Sequence, residues 1–335
     1  MSDFSDVQKK SANSCLLSIV IPAYNVEKYV RQCIDSVLNI VPNDGTVEII
    51  IVNDGSTDTT REILTEYNSE KCVRVFNNDN FGVSAARNFA IEQAKGKYIG
   101  FLDADDYWQN VSWSNLFNFL QSDSHIIEFN AIRVNEQGEF IDELNVVCSE
   151  NTTITSIDEA LLNQIAVICK WYPWSRFFRR DIWGKHRFPV GKIYEDLMTL
   201  PVVYNDARNL LPTNVSLVCY RVNSSSITCS PNFKRVVDLF VAADLFADLA
   251  KSSFDFYAIC SRNSYSMAVR TAASLPANNL DMRFFSMLAV CRKKMWRLIF
   301  TSDFRYLRYF LFPKSCFNNI HRKSIRKIKR REKKL

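Results

Sequence analysis

Three carboxylates crowd four positions at Asp103-Ala104-Asp105-Asp106, directly after the apolar run Tyr98-Ile99-Gly100-Phe101-Leu102 and directly before Tyr107 and Trp108. Like charges this close raise one another's pKa unless a cation sits among them. If the segment stays extended, Asp103 and Asp105 point the same way. Two carboxylates on one side suit a hard divalent cation, which prefers oxygen ligands. The same residues also suit a solvated acidic turn ahead of a helix beginning near Val111, and a bare Asp-x-Asp does not choose between the two.

Other candidates have the same two-sided character. Asn53-Asp54-Gly55-Ser56 ends an apolar run and reads as a βα turn, with Ser56 or Thr57 available as an N-cap. Arg87, in Gly82-Val83-Ser84-Ala85-Ala86-Arg87-Asn88, is either a surface charge or a cation facing the acidic cluster. Glu195 and Asp196 read as favourable acids at a helix N-terminus. The three histidines, His125, His186 and His321, are isolated from one another and are assigned no chemistry.

These residues need a frame. Buried strands are expected at 16–22, 47–52, 73–76 and 98–102, from runs of branched apolar residues. Between them fall helical spacings: Val30, Cys33, Ile34 and Val37; then Ile63, Leu64 and Tyr67; then 84–94. Alternating strands and helices predict an α/β, Rossmann-like, mostly parallel sheet with helices on both faces. Ligands of such sheets bind beyond the carboxyl ends of the strands. Pro22-Ala23-Tyr24, Asn53-Asp54 and Asp103-Ala104-Asp105 all stand at those ends, so they converge on one pocket. Residues 111–230 show no clear period, and from 231 a C-terminal helical region begins, with Val236, Leu239, Phe240, Ala243 and Phe246 on one face.

The chain of 335 residues, 47% apolar and 23% charged, has the make-up of a globular protein with room for one large domain or two ordinary ones. Its charge of +6 is unevenly placed: from Lys314 onward ten Lys/Arg face one Glu, leaving 32 Lys/Arg against 35 Asp/Glu elsewhere. An acidic body argues against a nucleic-acid partner. The cationic segment 322–331, preceded by Trp296, Phe304, Tyr306 and Phe310 among arginines, instead suits an anionic membrane surface. Ten cysteines without a Cys-x-x-Cys pair predict free thiols in a reducing compartment rather than disulfides or zinc. The first fourteen residues lack the apolar core of a secretory signal, and no uncharged apolar run reaches the length of a membrane span. The expectation is a cytoplasmic protein, peripheral on the cytoplasmic face of the inner membrane.

Taken together, Ser18-Ile19-Val20-Ile21-Pro22-Ala23-Tyr24-Asn25, Ile51-Val52-Asn53-Asp54-Gly55-Ser56-Thr57-Asp58, Gly82 to Asn88 and Gly96 to Asp106 resemble family 2 glycosyltransferases of the GT-A fold. The likeness is dense over 16–110, sparser to 230 and absent beyond. It implies an inverting, metal-dependent hexosyl- or N-acetylhexosaminyltransferase. The enzyme would move a sugar from a UDP-sugar to a glycan or lipid-linked oligosaccharide in bacterial surface polysaccharide synthesis (capsule, O-antigen or exopolysaccharide). By the same resemblance Asp105 is the main ligand of Mn2+ or Mg2+, and Asp103 touches the sugar, the ribose or the metal. Asp54 accepts from the pyrimidine N–H, Tyr24 lies near base and ribose, and Pro22 and Ala104 line the same site. Arg87 steers towards the nucleotide and the acidic cluster.

Gly191-Lys192-Ile193-Tyr194-Glu195-Asp196-Leu197 matches the family's acceptor-half acidic pair, which makes Asp196 the base and Glu195 the competing choice. Trp174, in Trp174-Ser175-Arg176, and Asp106 are expected at the acceptor. Arg221 and Ser226 are expected at the diphosphate or a closing loop. The implied organisation is a lead-in at 1–14, a GT-A domain at 15–230 (nucleotide-sugar half 15–110, acceptor half 111–230), helices at 231–312 and a basic tail at 313–335. Two rivals remain. A non-catalytic glycan- or nucleotide-binding protein on this fold would be expected to lack Asp54, Asp103, Asp105 and Asp196. A nucleotidyltransferase would want a Gly-rich basic loop where this chain has Pro22-Ala23-Tyr24-Asn25.

Overall fold

The computed structural model describes residues 15–147, 149, 152–223, 232–251, 254–275 and 282–295. The lead-in at 1–14, Ser226 and the basic tail at 313–335 lie outside them.

The branched runs become strands where the spacing places them. β1 (Leu17–Ala23) is buried except at Pro22, and β2 (Val47–Asp54) is buried throughout. A strand buried on both faces must be covered on both, which is why its sequence is a continuous apolar run rather than an alternation. β1 pairs in parallel with β2 (Ile19 opposite Ile49) and with β4 (Tyr98–Phe101; Ile19 opposite Gly100). β3 (Val73–Asn78) extends the parallel set beyond β2. The crossovers are α1 (Val30–Leu38), α2 (Thr60–Thr65) with a 3-10 turn at Glu66–Ser69, and α3 (Val83–Gln93). α1 buries Val30, Cys33, Ile34 and Val37, the stripe its spacing predicts.

Residues 111–223 are far more ordered than their sequence suggests. They supply α4 (Trp113–Leu120), β6 (Ile126–Val134), β7 (Phe140–Leu144), the short β8 (Thr155–Ser156), β9 (Arg176–Arg179) and β10 (Asn209–Arg221), while β5 is Tyr107–Trp108. The sheet runs β3-β2-β1-β4-β9-β6-β10-β5, with β7 on β6 and β8 on β10. β9 joins both neighbours antiparallel, and β6 and β10 form a further parallel pair. These strands escape a periodicity reading because they carry internal polar residues. Asn130 of β6 accepts the N–H groups of Val146 and Val147, and β10 slips register between Pro212 and Ser216.

The chain divides into two compact units. The first holds the sheet: residues 1–158, 171–191 and 202–223. The second gathers 159–170, 192–201 and 224–335. A single cut at 230 therefore misses that α5 (Glu159–Ile168) groups with the C-terminal helices. Its buried Leu162, Ile165 and Ala166 pack with α8 (Phe254–Ser274). α7 (Phe233–Leu249) buries Val236, Leu239, Phe240, Ala243 and Phe246 as its spacing predicts, and α9 is Met282–Met295. α6 (Glu195–Asp206) begins in the second unit. Among the described residues seven cysteines are free, and no helix is long and apolar enough to cross a membrane.

Candidate active site

Two loops at the carboxyl ends of β1 and β2 are laced together. Asn25 Oδ1 accepts the Thr57 N–H at 2.8 Å, Ser56 Oγ accepts the Asn25 N–H at 3.1 Å, and the Glu27 carboxylate accepts both donors of Thr59. The N-cap position falls at Thr59 rather than at Ser56 or Thr57, and all three residues serve this lacing. Tyr24 projects from the β1 end with 45% of its surface exposed, and Pro22 is half-buried beside it. Asp54, at the end of β2, is buried, and its two oxygens accept the N–H groups of Phe81 at 2.9 Å and Gly82 at 2.7 Å. Asp54 thus fixes the loop that opens α3. Gly55 allows the close approach: it sits at φ 73°, and a Cβ there would lie 2.8 Å from the Asn80 nitrogen.

The acidic segment is a turn, not an extended strand end: the Asp106 N–H bonds back to the Asp103 carbonyl at 3.0 Å. The three carboxylates therefore have three environments rather than sharing one side. Asp103 Oδ1 receives Arg87 Nη2 at 2.7 Å, with the arginine buried by α3 and its guanidinium 5.4 Å from the Phe188 ring centre. Arg87 is the cation among the acids. Asp105 is half-buried, and its own backbone N–H and the Arg221 charge favour its ionised form only weakly. Burial, with the Asp103 charge added, pushes its pKa up to about 6. Asp106 faces inward: its Oδ1 accepts the Arg221 N–H at 2.7 Å and its Oδ2 is buried without a partner among the described residues. Burial and its acidic neighbours push the Asp106 carboxyl well up.

Several expected contacts are replaced. Asp106 is not exposed to an acceptor; it is a buried strut under the turn. Ala104, expected to line the nucleotide-sugar site, belongs to the apolar core at 3% exposure. Trp174 is buried with its ring stacked against Tyr172 at 4.8 Å and Tyr220 at 5.5 Å, so neighbouring rings occupy the contact expected for a sugar. Arg221, expected at a diphosphate, is spent internally. Its Nε reaches the Asp105 carbonyl at 2.9 Å, Nη1 the Glu136 carbonyl at 2.7 Å and Nη2 Gln32 Oε1 at 2.8 Å, between the rings of Tyr29 and Tyr107. Sequence reasoning missed this strut, and the companion network in which buried Arg176 meets Tyr204 and Glu128. The sequence signals were slight: Arg221 ends β10, Arg176 opens β9, and Glu128 interrupts the apolar start of β6.

In the second unit, Glu195 and Asp196 occupy the first turn of α6. Asp196 Oδ1 accepts the Leu197 N–H at 2.7 Å, and the Glu195 carbonyl accepts Thr199 Oγ1 at 2.7 Å. Just upstream, Asp238 of α7 accepts the Ile193 N–H and both Lys192 and Lys234. Its burial works against ionisation, but these donors prevail and hold its pKa below the usual carboxylate range.

A mostly parallel βαβ sheet with an acidic turn at its carboxyl end is the arrangement that the GT-A resemblance implies, and comparison with known proteins agrees. Residues 18–182 match the model of the family described as glycosyl transferase family 2. The putative teichuronic acid biosynthesis glycosyltransferase TuaG of Bacillus subtilis is 31% identical over 64% of this chain and 81% of its own length. The uncharacterized glycosyltransferase EpsJ of the same organism is 29% identical over 80% of this chain and 81% of its own. Several other relatives are much longer, and the chain spans 31% or less of them. Among solved structures, Staphylococcus aureus TarS 1-349 in complex with UDP-GlcNAc superposes with a TM-score of 0.69 at 15% identity, covering 94% of this chain and 92% of that one. The chain belongs to glycosyl transferase family 2 and is a glycosyltransferase of the GT-A fold.

Proposed function

We propose that the chain transfers a hexosyl or N-acetylhexosaminyl group from a UDP-sugar to a glycan or lipid-linked glycan hydroxyl, with inversion, in bacterial surface polysaccharide synthesis. The observation that carries this reading is Asp105: a half-buried carboxylate pushed up to about 6 by burial and by the Asp103 charge, beside an Asp103 already paired to Arg87. A carboxylate in that state favours a cation. Among the described residues no three His, Cys, Asp or Glu side chains converge as a ready cage. That fits Mn2+ or Mg2+ carried on a nucleotide, which draws one or two carboxylates from the protein and completes its shell with phosphate oxygens and water. Asp105, with Asp103 beside it, would hold the ion. When bound, the ion supplies Lewis-acid stabilisation of the departing diphosphate.

The remaining roles fall to side chains. Arg87 orients Asp103. Asp54 fixes the loop from Phe81 to Gly82 and borders the base, with Tyr24 and Pro22 beside it. Asp196 takes the proton of the attacking hydroxyl, with Glu195 as the competing choice, and holding donor and nucleophile in line supplies much of the rate. A UDP donor is supported by the UDP-GlcNAc complex of the structural neighbour TarS, and a polysaccharide acceptor by the name of TuaG. The cationic stretch after Lys314 supports attachment to the cytoplasmic membrane surface. UDP release from a donor panel, with Mn2+ or EDTA, tests the reading, with Asp105→Ala run alongside. Metal-dependent release lost in the variant supports it, and release indifferent to both contradicts it.

A further inference from the structure

The helices after residue 231 show no likeness to the family's motifs, yet α7 reaches back to the loop that launches α6. Asp238 is 1% exposed. Its Oδ2 accepts the Ile193 backbone N–H at 3.0 Å, and its Oδ1 accepts Lys192 Nζ at 3.2 Å. Lys234, one turn earlier on α7, closes on the same carboxylate. Three residues before Asp238, Arg235 forks onto the next loop residue: Nε and Nη2 lie 3.1 and 3.0 Å from the Tyr194 hydroxyl, which accepts both. Tyr194 itself sits at φ 65°, a left-handed conformation that a bulky side chain rarely adopts unless its surroundings impose it. Its carbonyl then accepts the Met198 N–H at 3.2 Å, the bond that opens α6. Asp196 follows two residues later.

A buried carboxylate satisfied by a loop N–H and two ammonium groups, next to a guanidinium holding a strained tyrosine, is more than core filling requires. An apolar side chain would cover the same space at less desolvation cost. A general base, by contrast, must be held to within a fraction of an ångström of its target, and a helix N-terminus has no internal bonds to hold it. We propose that Asp238 and Arg235 are positioning residues for Asp196: they clamp 192–194 and fix where α6, and with it the base, begins. This rests on the reading of Asp196 as base. It gives the C-terminal helices a part in the reaction.

The test is UDP release from UDP-GlcNAc, or from the active member of a donor panel, by the full chain carrying Asp238→Asn, Tyr194→Phe, Asp196→Asn or Asp196→Asn with Asp238→Asn. The donor Kd and Tm of each are measured too. Tyr194→Phe removes only the acceptor of the Arg235 fork, so it keeps the test open if Asp238→Asn folds poorly. The expected result is a kcat about tenfold lower in Asp238→Asn and Tyr194→Phe with donor Kd within about twofold. In the double variant, Asp238→Asn costs nothing further, because there is no base left to misplace. Wild-type kcat in both single clamp variants, or a double variant about tenfold slower than Asp196→Asn alone, overturns the positioning role while leaving the base. Wild-type turnover in Asp196→Asn removes the base reading and the proposal with it.

Discussion

Arg87 and Asp103 form a 2.7 Å ion pair in which the arginine is buried and the carboxylate is about a third exposed. That pair gives the acidic turn its division of labour. Asp103 has its countercharge from Arg87, Asp106 has the backbone N–H of Arg221, and Asp105 is left with burial and the Asp103 charge outweighing the donors near it.

The first consequence is a pH-dependent strain in the metal-free protein. Asp105 has its pKa raised from 3.8 to about 6, so between those values the folded chain binds more protons than the unfolded one. Stability from this group is full below the lower value and falls as pH rises through the upper one. In EDTA, Asp105→Asn should therefore gain on the wild type by about 2 kcal/mol between pH 4 and pH 7. Chemical denaturation at the two pH values measures this, and a constant difference would show that the burial of Asp105 costs nothing.

Arg221 should behave as a structural strut. Lysine cannot reproduce a guanidinium that reaches Asp105, Glu136 and Gln32 at once. Arg221→Lys is expected to destabilise by about 1–3 kcal/mol in urea unfolding. A loss below about 1 kcal/mol would return Arg221 to the role of a ligand contact.

Trp174→Phe separates packing from acceptor recognition. The stack with Tyr172 and Tyr220 predicts a stability loss of about 1–3 kcal/mol and an unchanged acceptor KM. A raised KM at unchanged stability would place a sugar on that ring.

Deleting residues 313–335 should weaken pelleting with anionic phospholipid vesicles by about tenfold or more, at roughly 1 kcal/mol for each basic residue near the surface. UDP release in solution should be unaffected. Equal pelleting with and without the tail would move membrane contact elsewhere or remove it.

The frame of residues 16–110 was legible because its physics is local. A strand such as β2, buried on both faces, must be a run like Val47-Glu48-Ile49-Ile50-Ile51-Val52, and a βα turn must carry residues like Asn53-Asp54-Gly55. What escaped is carried by contacts distant in sequence. Arg221 meets the carbonyl of Asp105, 116 residues away, and backbone carbonyls leave no mark in a sequence. Glu128, Arg176 and Tyr204 share a buried network, yet they come from three separate elements and none signals the other two in the sequence. The sequence singles out Asp103 and Asp105 as a pair, but the turn that separates their environments rests on one backbone bond from Asp106 to Asp103.

The most direct test of the central claim is calorimetric binding of UDP to the wild type and to Asp105→Ala, each with Mn2+ and with EDTA, at pH 7.5. The account predicts tight binding only for the wild type with Mn2+, and affinity lower by about a hundredfold or more when either the metal or the carboxylate is removed. Binding of equal strength in all four conditions would mean that the acidic turn is only a turn, and that this chain handles its nucleotide without Asp105.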